Sequence, residues 1–263
     1  GINLEYVEAN YNYNDASNQI KIQIQAGDPA WDVIANDIRA LATISANGFL
    51  ANVYGNDILD FSKDYWYTDS MDNLSFLGGG MYLLVGDYFT DALASCHTLY
   101  ANEAILNNIY NDYEYVNKMV FDGKWTIDEM TKILNESYKD TDGDGKKSNG
   151  DDYGYACVGM WGPAIPMLIG LDINFVEKTA DSVQFAFNNE HSIAALDKLH
   201  DLYYSEGTIS SLGDVTGLRS FFANKQVVFM GYNRLGDLAE LRDIEFEMGV
   251  LPYPKFDENQ EGY

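Results

Sequence analysis

Carboxylates at every second position, closed by a glycine, are the clearest chemical signal in this chain: Asp140-Thr-Asp142-Gly-Asp144-Gly145. Counted as a loop, the stretch puts Asp140, Asp142 and Asp144 at positions 1, 3 and 5 and Gly145 at 6. Lys146 takes the backbone-carbonyl position 7, Ser148 falls at 9 and Asp151 at 12. Hard cations need several oxygens at short range, and alternating Asp residues with a sharply turning glycine supply them. The ligand set this predicts is Asp140, Asp142, Asp144, Lys146 and Asp151, holding a structural Ca²⁺. An acidic, glycine-rich turn that binds nothing is the plain alternative. Four carboxylates and a glycine falling together on the required registers favour the ion. Asp151 stands where a helix–loop–helix calcium site carries a bidentate glutamate, so looser coordination is expected.

Catalytic signatures are sparse. The chain has no Gly-x-Ser-x-Gly elbow, no phosphate-binding Gly-Lys-Ser/Thr loop and no His-Glu-x-x-His. Gly78-Gly-Gly is too short for a dinucleotide fingerprint and reads as a tight turn. His97, His191 and His200 are scattered, and nothing in their spacing makes a ligand set. Two carboxylates paired for glycoside hydrolysis stay open, because 41 Asp and Glu residues offer many combinations.

The elements around the acidic loop decide what it can be. Thr126 is a helix N-cap with Glu129 three residues on, and Ile127, Met130, Ile133 and Leu134 give that helix one apolar face. After the loop, the run through Gly154 and Gly159 is strand-like rather than a second amphipathic helix. The loop therefore joins a helix to a strand, which suits a frame better than a sensor.

Elsewhere Ile2–Val7 alternates like a strand, Trp31–Ala35 and Gly78–Asp87 read as buried strands, and Ile20, Ile22 and Ile24 alternate with period two. Strands are also predicted at 93–100, 182–187, 227–230 and 246–252. Helices are predicted through Ile38, Leu41 and Ile44 to Asn47-Gly48, at 103–109, 112–119 and 127–138, and again at 163–170, 191–206, 217–223 and 236–241. Strands and helices alternate throughout, so the class is α/β.

Composition narrows the partners. A formal charge of −25 repels phosphate backbones and anionic membranes, which excludes nucleic acid as a partner. The hydrophobic share of 46% supports a packed core rather than disorder. No apolar run reaches transmembrane length, and the start of the chain has no basic and apolar leader pattern. Cys96 and Cys157 sit in apolar, strand-like surroundings and read as buried free thiols, with a disulfide as the minor alternative. The 20 Tyr, 13 Phe and 4 Trp suit either core packing or carbohydrate recognition, since the CH faces of sugar rings stack on flat side chains.

Taken in order, several short motifs form a series. It runs from Ala26-Gly27-Asp28 with Trp31-Asp32-Val-Ile through Asn47-Gly48-Phe-Leu50 and Asp64-Tyr-Trp66 to Gly78-Gly79-x-Met-Tyr82 with Val85-Gly86-Asp87. Leu99-Tyr100-x-Asn102, Gly123-Lys-Trp125-Thr, Asp152-Tyr153-Gly154, Val227–Met230 and Gly249-Val-Leu-Pro252-Tyr-Pro254-Lys255 complete it. That order resembles the extracellular solute-binding proteins that feed carbohydrates to ABC importers, in particular the maltose-binding-like family of Gram-positive bacteria. Gly80 departs from it, standing where relatives usually have Lys.

The resemblance implies a two-lobed, type II periplasmic-binding-protein-like fold that closes on a ligand at an interdomain cleft, with hinge strands near Leu93–Leu99 and the C-terminus. Residues 1–95 would form lobe 1, without its first strand and helix and its C-terminal return. Residues 96–256 would form lobe 2, and 257–263 would start the return. The chain thus looks like a fragment or incomplete chain. The resemblance also makes residues 15–26 a helix, against the period-two pattern there. It implies a monomer that binds a sugar or oligosaccharide outside the cell and passes it to ABC permease subunits, tethered by a lipid anchor lying outside this chain. Asn36, Asp37, Asp87, Trp161, Tyr232, Asn233 and Arg234 would line the ligand site, Trp161 as the stacking surface. Trp66 and Trp125 are assigned to packing. No turnover is expected; a glycoside-active enzyme and a binder of peptides or other polar solutes are the alternatives.

Overall fold

The computed structural model describes residues 3–8, 13–27, 31–75, 79–159, 161–179, 181–210 and 212–263. The chain separates into two compact units, Gly1–Phe89 with Ala180–Ser182, and Thr90–Thr179 with Val183–Tyr263.

The first unit is helical and loop-rich. Helix α1 (Tyr13–Gln25) follows the expectation from the resemblance, not the period-two one. Ala16 and Ile20, four residues apart, share its buried side, while Ile22 points outward. Helix α2 (Ile38–Ala46) buries Ala40 and Ile44, and Gly48 at φ +74° closes its C-terminus as the sequence predicts. Helix α3 (Thr68–Asn73) is short and anchored by buried Met71.

The strands expected here do not form among the described residues. Residues 3–8 are exposed and irregular, and 31–37 are extended without a ladder; Ile2 and Asp28–Ala30 lie outside the described residues. A lone apolar run has no partner for its N–H and C=O groups, and alternation alone does not provide one. Met81 and Leu83 are buried as expected, but their segment pairs only locally. Val53 N donates to Met81 O at 2.8 Å, Tyr67 N donates to Val85 O at 3.0 Å, and Trp66 bridges Gly86. Gly78 of the expected glycine turn lies outside the described residues.

The second unit is built on a five-stranded mixed sheet. After α4 (Thr90–Ala94) come β1 (His97–Asn102), α5 (Glu103–Tyr110), α6 (Tyr115–Phe121) and α7 (Ile127–Ser137). There follow β2 (Tyr153–Ala156), α8 (Trp161–Gly170), the hairpin β3 (Val176–Lys178) and β4 (Val183–Phe185), and α9 (Glu190–Tyr204). The unit continues with β5 (Thr208–Ile209), α10 (Val215–Ala223), β6 (Val227–Arg234), a 3-10 helix (Leu235–Leu241) and β7 (Met248–Leu251). Strand order is β5-β2-β6-β1-β7, with β2 parallel to β5 and β6, and β1 antiparallel to β6 and β7.

Each face of this sheet carries its own core. Leu99, Ala101 and Tyr155 pack with Ile127, Met130, Ile133 and Leu134 of α7 and Leu199 and Leu202 of α9. On the opposite face Tyr100, Tyr153, Ala156 and Met230 pack with Leu218, Phe221 and Phe222 of α10. Alternation along β1 and β2 assigns successive side chains to the two layers. Trp125 is fully buried in the first layer, and its Nε1 donates to Pro252 O at 3.0 Å, which bears out its assignment to packing.

Two expectations change in this unit. Cys96 is exposed rather than buried, because it lies in the turn between α4 and β1; Cys157 is buried, and burial pushes its thiol up to about 12. Both are free. Residues 257–263 stay with this unit: Gln260 Nε2 donates to Gly170 O at 2.9 Å and the Tyr263 hydroxyl accepts from Trp125 N at 3.2 Å. No helix among the described residues is long and apolar enough to cross a membrane.

Candidate functional site

Helix α7 delivers the acidic loop. Thr126 caps its start by accepting from Glu129 N at 3.3 Å, the spacing read from the sequence. Beyond Ser137 the chain enters the loop at Lys139 and leaves at Asp152, and these two exchange backbone hydrogen bonds of 3.0 and 3.1 Å. Gly143 and Gly145 take φ +74° and +73°, the left-handed turns that glycine adopts without strain. Asp140 accepts from Gly143 N and Gly145 N at 2.8 and 2.9 Å. Asp142 accepts from Asp144 N and the Ser148 hydroxyl at 3.1 and 3.0 Å, and Asp144 from Lys146 N at 2.7 Å.

Folding brings three of the expected ligands together. Asp140, Asp142 and Asp144 are exposed, and one carboxylate oxygen of each lies within 4.8 Å of the others. This all-oxygen set fits a hard cation in kind. Asp151 does not join it. It is fully buried, and its two oxygens accept from Thr141 N at 3.0 Å and Ser148 N at 2.8 Å. Burial raises its pKa, but the Ser148, Thr141 and Asp142 amides outweigh that and hold it below the usual carboxylate range. The residue expected at the twelfth ligand position is therefore a brace for the loop's backbone. Lys147 and Gln226 tie the loop down further, Lys147 Nζ to Ser205 O at 2.5 Å and Gln226 Nε2 to Asn149 O at 3.1 Å.

The residues expected to line a ligand site lie on both units. In the first, Asn36 accepts from Asp37 N at 2.7 Å. Asp37 caps α2 through Arg39 N at 2.9 Å and forms a fork with the Arg39 guanidinium, also at 2.9 Å. Those Arg39 hydrogen bonds hold the Asp37 pKa below its ordinary value. Asp87 is exposed, and its backbone N–H donates to Tyr65 O at 2.9 Å.

In the second unit Asn233 is a correction. It is fully buried, and its amide donates to Met230 O at 2.8 Å and Gly231 O at 3.1 Å, so it braces the end of β6. Arg234 is exposed; its N–H donates to Asp237 at 2.9 Å, and its carbonyl accepts from the Tyr100 hydroxyl at 2.6 Å. Trp161 begins α8 and Tyr232 lies in β6, but both side chains lie outside the described residues. Two surface cavities of about 380 and 430 Å³ adjoin Lys225, Ile244 and Glu245 and contain none of these residues.

An aromatic cluster on the first unit went unread except for Trp66. Trp66 lies 5.3 Å from Phe61, 5.4 Å from Tyr65 and 5.4 Å from Tyr88, and Tyr88 lies 4.8 Å from Phe89, between ring centres. The adjacent pairs Tyr65-Trp66 and Tyr88-Phe89 were its only signal in the sequence.

A sequence profile of the family described as bacterial extracellular solute-binding protein matches residues 1–263. Comparison with curated protein sequences gave no match. Among solved structures the chain is similar to the extracellular solute-binding protein from Staphylococcus aureus in complex with maltose. The identity is 14% and the TM-score 0.61, over 95% of this chain and 59% of that one. It is similar also to UspC of M. tuberculosis, at 15% identity and TM-score 0.60, over 94% and 61% of the two chains. A cyclo/maltodextrin-binding protein complexed with maltotetraose matches at 13% and 0.59, over 93% and 56%. The fold is thus the α/β, two-lobed type II binding-protein fold, and this chain spans about three-fifths of those proteins' length.

Proposed function

The chain belongs to the bacterial extracellular solute-binding proteins, and from that premise we propose that it is the substrate-binding component of an ABC importer. It captures a sugar or oligosaccharide outside the cell and delivers it to the permease without chemical change. The family match along all 263 residues carries this reading. Two of the similar structures, with maltose and with maltotetraose, support a carbohydrate as the solute. On this reading the two units are the two lobes of the fold. Ligand binding shifts the population toward the conformer that the permease engages, to the extent of its differential affinity for that conformer. The protein acts as a monomer, tethered by a lipid anchor at the surface of a Gram-positive cell.

Calcium belongs to the same proposal as a structural ion. The carboxylates of Asp140, Asp142 and Asp144 and the Lys146 carbonyl would hold it, with Asp151 bracing the loop behind them. Bound there, a divalent cation supplies the positive charge that three neighbouring carboxylates lack.

A thermal-shift panel on the complete protein tests the transport reading. A ligand at 100 times its Kd stabilises the folded state by about 2.7 kcal/mol. The expected result is a rise in Tm with a neutral oligosaccharide, none with dipeptides, and no release of reducing ends. A shift only with dipeptides, or hydrolysis of the sugar, would favour the alternatives.

A further inference from the structure

We propose that Tyr65, Tyr88 and Phe89 form a stacking platform on the first unit for one pyranose ring of a neutral oligosaccharide, a reading that rests on the sugar-binding function above. These three side chains are 47%, 49% and 40% exposed although each is large and aromatic. Contiguous exposed rings are an unusual arrangement for a monomer's surface and mark a place where something docks.

The platform is built rather than incidental. Beneath it lie Phe61 and half-buried Trp66, whose Nε1 donates to Asp60 O at 3.0 Å and so fixes the indole. The stretch 65–67 is held to 85–87 by Asp87 N to Tyr65 O at 2.9 Å and Tyr67 N to Val85 O at 3.0 Å. Gly86 is what allows this closeness. A Cβ there would stand 2.2 Å from Tyr65 O and 2.9 Å from Tyr88 Cε1, so any side chain would lift the Tyr88 ring away. Rings held in place lose little freedom on meeting a ligand, which favours tight stacking.

The surrounding charge selects the occupant. Asp64 and Asp87, beside Tyr65 and Tyr88 in the chain, are exposed carboxylates that accept hydrogen bonds from sugar hydroxyls. Lys63 is paired with Asp60 at 3.2 Å, and the chain's net charge is −25. A uronic or phosphorylated sugar, or an anionic lipid surface, would be repelled. A neutral pyranose presents CH groups to the rings and hydroxyls to the carboxylates.

The test is calorimetric titration of the complete protein with maltotriose, cellotriose, xylotriose and trigalacturonate, for wild type, Tyr65→Ala, Tyr88→Ala and Tyr88→Trp. The expected result is that one neutral trisaccharide binds and trigalacturonate does not. Each alanine variant should weaken the bound sugar by about tenfold or more at unchanged apo Tm, and Tyr88→Trp should retain binding. Ring-proton NMR of the wild type provides a second readout, with the bound sugar shifting the Tyr65 and Tyr88 signals. Neutral-sugar binding that is unaffected by both alanine changes and leaves those signals in place would overturn the platform and leave the transport reading intact. Equal binding of trigalacturonate would overturn the selection for neutral sugars. No binding of any trisaccharide would overturn platform and sugar reading together.

Discussion

Asp151 gives both carboxylate oxygens to backbone amides of the loop it closes, and this makes the loop sensitive to acid. Its folded pKa is depressed, so the unfolded chain takes up its proton first as the pH falls. The stabilisation is therefore complete above the unfolded value of about 3.9 and is lost as pH drops through the folded one. Asp151→Asn should lower Tm at pH 7 and flatten its fall below about pH 4, as read by thermal melts across pH 2–7. An unchanged acid limb would show that the carboxylate's charge does not matter. The exposed trio makes a separate claim. EDTA should lower the Tm of the wild type, added Ca²⁺ should restore it, and Asp142→Ala should melt at the same temperature with or without chelator. At this scale the sequence was informative about Thr126, Asp140, Asp142 and Asp144, whose roles follow from local spacing. It was not for Asp151 and Asn233, because spacing does not reveal whether a polar side chain turns outward or back onto its own backbone.

Helix α7 lies unusually close to its sheet. A Cβ on Gly154 in β2 would stand 2.2 Å from Leu134 Cα, and one on Gly207, just before β5, 2.1 Å from Leu134 O. Both contacts are with backbone, which cannot rotate aside, so Gly154→Ala should cost at least about 1–3 kcal/mol. Thr126→Ala, which removes only the cap, should cost about 1 kcal/mol. Urea unfolding of the two variants checks the order; a Gly154→Ala protein as stable as the cap variant would contradict the close approach. Most helices were legible because a 3.6-residue period is a property of the segment itself. Strands at 3–8, 31–35 and 79–87 were not, since a strand exists only where another edge accepts it. The helix at Tyr13–Gln25 shows the same limit: Ile20, Ile22 and Ile24 alternate, yet Ala16 and Ile20 are the pair that is buried.

Across the whole molecule, identity was carried by the order of short motifs and not by any one of them. Gly-Lys-Trp125-Thr, Asp152-Tyr-Gly154 and the Val227–Met230 run each serve packing: a buried indole, a glycine against α7 and a central strand. That is why they mark the fold and leave the solute unnamed. The solute depends instead on a few exposed side chains, such as Tyr65, Tyr88 and Asp87, whose meeting in space no spacing rule announces. The acidic surface, at −25, adds the condition that the solute is uncharged or cationic. Capture without turnover is the central claim, and calorimetric titration of the complete protein with neutral oligosaccharides, followed by mass analysis of the recovered sugar, tests it most directly. The account requires saturable one-site binding of at least one such sugar, recovered intact; no heat with any of them, or a shortened sugar in the cell, would contradict it.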